Sequence, residues 1–152
     1  MRFRAPLSLR SLSLLALALC SGLLPAAPHD QVVIPPAKTS IYIGNVTLTP
    51  GILKRENATY TTSYHAKVFP YFFYNEEGQL SIDFSDEQLA QLQRGERVPF
   101  TGTAKNKDGE DRRIEGHVTA SAPGATEGTI KVRIFVTKKI ELIFNSTYQF
   151  KP

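Results

Sequence analysis

Few residues in this chain could do chemistry, and none stands in a spacing that assigns a reaction. The three histidines are His29, His65 and His117. His65 and His117 each fall on the polar face of an alternating segment, and Asp83 and Glu115 are the acids that could join them. A tetrahedral metal site needs further converging ligands, and nothing in the spacing supplies that convergence. No metal and no other cofactor is expected. The acidic pairs Glu76-Glu77 and Asp86-Glu87 sit at a turn and at a helix start, where they have ordinary structural roles. There is no Gly-x-Ser-x-Gly elbow, phosphate loop, dinucleotide fingerprint or His-Glu-x-x-His motif. No catalytic residue is assigned, and a hydrolase with an unrecognised site ranks third among the functional readings.

The aromatic run is a stronger candidate for a site. Phe69, Tyr71, Phe72, Phe73 and Tyr74 crowd around Pro70 in a chain that has no Trp. Such rings line small-molecule pockets, cover barrel ends or touch a membrane surface. They also serve as ordinary core and sheet residues. In an extended segment neighbouring side chains point to opposite faces, so some of these rings must meet a second layer, a cavity or solvent. Pro70 supplies no amide donor, which places the segment at a sheet edge or bend.

The first 27 residues read as a signal peptide. Arg2, Arg4 and Arg10 precede an uncharged apolar run from Ser11 to Leu24, followed by Pro25, Ala26 and Ala27. That is the layout of an export signal, and the run is shorter than a comfortable membrane span of roughly 20 residues. The only Cys, Cys20, lies within it. Leu17-Ala18-Leu19-Cys20 resembles a bacterial lipobox, but Leu19 stands where a small residue belongs, which argues against lipidation at Cys20. Without this leader the chain has no thiol and no disulfide. Of the 18 Lys and Arg, three are in the leader, leaving fifteen against 14 acids, a net of +1 in place of +4. Charges of both signs alternate and no basic stripe emerges, so nucleic acid is not an expected partner. The sequons at Asn45, Asn57 and Asn145 read as chance matches to a short motif.

Residues 28–39 are rich in Pro and read as an extended tether, with a single β-rich domain over 40–152. Within it, Tyr60, Tyr64, Ala66 and Val68 alternate with polar residues, as do Ile114, Val118 and Ala120, and Ile130, Val132 and Ile134. Period two puts one face on a core and the other in water. Phe135 and Ile143 break the polar side of their strands. One helix is expected near 85–94. Ser85 and Gln88 have the capping-box spacing, Asp86 and Glu87 suit the positive end of the dipole, Leu89 and Leu92 share a face, and Gly95 fits the residue after the helix. The fold class is mainly β, one antiparallel sheet of about seven strands curved into a partly open barrel or a sandwich, with the helix over one end or face. Lipocalin-like and lipid-carrier barrels share that layout, but their sequence signatures are absent, and architecture does not settle function.

The leading functional expectation is an exported, periplasmic, envelope-associated or secreted, non-enzymatic domain. It would bind an apolar small molecule, a lipid or a protein surface near Phe69–Tyr74. The alternative is a structural or interaction protein of the cell envelope that pairs through a sheet edge. Partners are accordingly an apolar ligand or an envelope protein, with membrane contact only through the leader or a lipid on Cys20.

Overall fold

Val98–Asn106 shows how this sequence builds its sheet. Val98, Phe100, Gly102, Ala104 and Asn106 are buried, and Pro99, Thr101, Thr103 and Lys105 between them are exposed. A strict period of two turns one edge of the pleat inward along the whole strand. The computed structural model describes residues 29–152; the expected leader over 1–27 and Cys20 lie outside the described residues.

The elements are β1 (Gln31–Val33), β2 (Ala37–Ile41), β3 (Gly44–Pro50), β4 (Leu53–Glu56), β5 (Thr59–Phe69), β6 (Glu76–Asp83), α1 (Asp86–Gln93), β7 (Val98–Asn106), β8 (Asp111–Ala120), β9 (Glu127–Phe135) and β10 (Glu141–Lys151). All pairings are antiparallel. β5 through β10 form a meander, and the ring closes through β10–β1, β1–β4 and β4–β5. The result is a closed eight-stranded barrel, with β3 and β2 extending it beside the second half of β5. Closure of the ring removes the free edges that an open sheet would leave.

Closure depends on residues that the sequence reading placed outside the fold. The tether expected over 28–39 is corrected, because Gln31–Val33 and Ala37–Ile41 are strands. Val32 is buried opposite Phe150 and Leu53. Proline-flanked extended backbone looks alike in a tether and in a strand broken by Pro35-Pro36, and three residues are too few to show a period.

Four inward positions carry no side chain. A Cβ at Gly78, Gly102, Gly116 or Gly128 would collide with a backbone carbonyl of the next strand, namely Lys105, Ser81, Lys131 and Thr119 respectively. These glycines sit on β6, β7, β8 and β9 in turn. They let the strands approach closely on the concave side, which bends a sheet into a small barrel.

The core fills the barrel, with Val98, Ile114 and Phe144 its most completely buried side chains. α1 closes one end. Ser85 and Gln88 form the reciprocal capping box (3.1 and 2.7 Å), and Leu89 and Leu92 enter the core. Gly95 follows with φ +84°. Gln88 Nε2 donates to the Pro99 carbonyl (2.8 Å), and the Gly124 amide donates to the Gln93 carbonyl (2.7 Å), tying the helix to β7 and to the β8–β9 connection. His29 also belongs to this end. It stacks edge-on against Phe150, its carbonyl accepts from the Tyr60 hydroxyl (2.6 Å), and its ring bonds to the Gln93 amide.

Candidate functional site

Eight large apolar side chains stand exposed among the described residues: Tyr42, Ile43, Ile52, Phe69, Phe72, Phe73, Tyr74 and Ile140. Ile52 sits in the bend between β3 and β4. The other seven lie in the β2–β3, β5–β6 and β9–β10 connections and at the end of β5, at the end of the barrel opposite α1. Strand order makes these three connections neighbours around that end, because β3 is beside β5 and β2 lies next to β10. Together they make an apolar rim at that end.

Local sequence explains each part. β5 ends at Phe69, which faces outward opposite Asn45 of β3. After Pro70 the chain does not continue as a strand. Phe72–Tyr74 is a single 3-10 turn, closed by Tyr74 N–H to Tyr71 O (2.9 Å) and Asn75 N–H to Phe72 O (3.0 Å), while the Asn75 side chain accepts from the Val68 amide (2.8 Å). Phe73 is the centre of the cluster. Its ring centroid is 6.0 Å from Tyr71, 6.0 Å from Phe72 and 4.6 Å from Tyr74. The β2–β3 hairpin presses against this segment. Gly44 has φ +115°, and a Cβ there would meet the Phe69 carbonyl and the Pro70 ring. Only glycine permits both that backbone and that approach. The hairpin therefore lies against the start of the β5–β6 connection, and Tyr42 at its tip has its side chain fully in solvent.

Of the five aromatics singled out in the sequence, Tyr71, Phe72, Phe73 and Tyr74 come together, for a reason other than strand alternation, while Phe69 faces outward at the end of β5. The segment is a turn beyond the end of the sheet, and only Tyr71 is half-buried. The sequence reading missed Tyr42, Ile43 and Ile140. The signals that could have found them were Gly44, which suits a hairpin turn, and Lys138-Lys139 ahead of Ile140.

A polar layer lies beneath the rim. The Tyr64 hydroxyl donates to Glu76 Oε1 (2.6 Å), and Arg112 Nη2 donates to Glu76 Oε2 (3.0 Å) and Glu110 Oε2 (2.7 Å). Buried Asn106 donates to the same Glu110 oxygen (3.3 Å). Burial alone would raise the Glu76 carboxyl, but the bonds from Tyr64 and Arg112 outweigh it and hold the group below the usual carboxylate range. Below this layer the barrel keeps an apolar cavity of about 100 Å³ among residues such as Leu48, Leu80, Ile114, Phe144 and Tyr148. That is less than the roughly 150 Å³ dry cavity that holds one benzene. None of the five candidate aromatics lines it.

The polar candidates do not converge. His65 pairs with Glu77 (3.1 Å) on the outer face of β5 and β6. His117 Nδ1 accepts from Arg97 Nη2 (3.1 Å) on the outer face of β7 and β8, where Arg97, His117, Lys131 and Arg133 line a shallow groove of about 220 Å³. Burial and the charges of Arg97 and Lys131 lower the His117 pKa. Among the described residues no three of His, Cys, Asp and Glu are placed to hold a metal. Phe135, which breaks the polar side of β9, is covered by the Arg113 guanidinium 4.0 Å from its ring centroid.

No family model, no curated protein and no solved structure matches this chain. The functional reading therefore rests on the rim itself.

Proposed function

We propose that this protein is an exported, non-enzymatic binding domain whose contact surface is the aromatic rim. The carrying observation is the segregation of seven of the eight exposed large apolar side chains at one barrel end. Scattered exposed apolar residues are normal on a soluble domain, whereas their concentration on one face marks an interaction site. Aromatic side chains suit that use, because they bring large apolar area and lose little rotamer freedom on contact. The interior supports a ligand less well, since its cavity is small.

The test is paired. Single alanine variants at Phe69, Phe72, Phe73 and Tyr74 are compared with the parent by thermal unfolding and by affinity for a fluorescent apolar dye. Weakened dye binding with a nearly unchanged unfolding midpoint is the expected result. Destabilisation of every variant without selective loss of binding would reduce the cluster to a packing role.

A further inference from the structure

The apolar rim is bordered by cations that no carboxylate neutralises. Lys38 and Lys67 lie in one outward row with Thr47 between them, two residues along β5 from Phe69. Lys138 and Lys139 precede Ile140 in the β9–β10 connection. All four are exposed, and none forms an ion pair with a described carboxylate. The acids at this end are mostly engaged. Glu76 and Glu110 pair with Arg112, Glu77 with Lys107, Asp111 with Lys105 and Glu141 with Arg133. Among the described residues at this end, Asp108 is the acid in no ion pair. Because Arg112 serves two carboxylates, the named groups come to eight cations against six acids, a net positive charge of two, with the four unpaired lysines set around exposed Phe, Tyr and Ile.

We propose that the rim is a membrane-docking surface that seats the barrel end-on against a bilayer carrying anionic headgroups. This rests on the reading of the rim as the contact surface and names its partner. Aromatic side chains partition to the boundary between headgroups and acyl chains, and neighbouring Lys stems lie along apolar surface while their ammonium groups reach phosphate. An anionic leaflet attracts each such cation within a Debye length. Tyr42 is 101% exposed and touches nothing that would fix its shape. A fluid bilayer boundary needs no preformed complementarity, whereas a tight protein interface does. The end bearing α1, His29 and Lys151 faces away from the lipid.

The experiment is vesicle co-sedimentation of the protein purified from cells expressing the full chain, with phosphatidylcholine alone and with phosphatidylcholine plus phosphatidylglycerol. The parent should sediment with the anionic vesicles, and added salt should weaken this. The double variant Phe72→Ala with Phe73→Ala should lose about tenfold in partitioning. Lys138→Glu with Lys139→Glu should lose about as much on anionic vesicles and change little on phosphatidylcholine. Ile52→Ala, away from the rim, serves as the control and should match the parent. Equal sedimentation of the parent and both rim variants overturns the proposal. So does absence of sedimentation with rim-dependent binding of the apolar dye, or rim-dependent self-association, which would leave the contact surface real and its partner a protein. Rim variants that alter neither vesicle nor dye binding would remove both readings together.

Discussion

The Tyr148 hydroxyl is buried, finds no hydrogen-bond partner among the described residues, and is pushed up to about 12 in pKa by that burial. An unsatisfied buried hydroxyl is costly, while its apolar replacement of the same shape is nearly neutral or better. Tyr148→Phe is therefore expected to leave stability unchanged or raise it by up to about 1 kcal/mol, as read by urea unfolding. Glu76 behaves in the opposite way. Glu76→Ala would leave the Tyr64 hydroxyl without its acceptor and Arg112 with Glu110 as its remaining carboxylate, and a loss of about 2–3 kcal/mol is expected. The sign of the pH effect follows from the lowered folded-state pKa of Glu76. Its contribution is fully present above the ordinary carboxylate pKa of about 4.3. It is lost as pH falls through the lower folded value. Stability measured against pH in that window should flatten in Glu76→Gln. His29 acts earlier on acidification. Burial and Arg55 lower its pKa, so its contribution is present above about 6.5 and declines as pH falls toward the folded value; His29→Gln should remove that step.

Among the elements, α1 was legible in the chain almost to the residue. Ser85, Gln88, Leu89, Leu92 and Gly95 are local signals, and helix capping is decided within one turn. Ser85→Ala should cost about 1 kcal/mol and Leu92→Ala about 2–5 kcal/mol, both checked by chemical denaturation. The alternation of β5, β7, β8 and β9 was legible for the same reason, because a period of two is visible in any long strand with one buried face. Gly116 was not legible in this way. In the sequence it is one more residue on an apolar face, yet a Cβ there would strike the Lys131 carbonyl and the Phe100 ring. Gly116→Ala is expected to cost about 1–3 kcal/mol, and an unfolding midpoint equal to the parent's would show that β8 and β9 can separate to admit the methyl group.

At the scale of the whole molecule the barrel is polarised. One end carries a capped helix, His29 and the C-terminal residues, and the other carries exposed rings and unpaired lysines. The alanine and charge-reversal variants of the rim belong to this scale, because their expected effects fall on binding and leave the core untouched. Phe72, Phe73 and Tyr74 are each at least two-thirds exposed or nearly so, at 75%, 67% and 66%. Truncating them removes little packing, so their unfolding midpoints should stay close to the parent's while dye and vesicle affinity fall.

The sequence by itself determined which of the long alternating segments are strands with one wet face, where the helix begins and ends, and that the aromatics from Phe69 to Tyr74 could not all be core. Those properties follow from backbone periodicity and capping, which act over a few residues. Tertiary structure alone decided that β1 closes the ring against β10, that Gly44 lets the β2–β3 hairpin lie against the start of the β5–β6 connection, and that Lys38, Lys67, Lys138 and Lys139 border one surface. Each of these joins residues far apart in the chain, and strand register, set by which faces bury together, carries that information where no local pattern can.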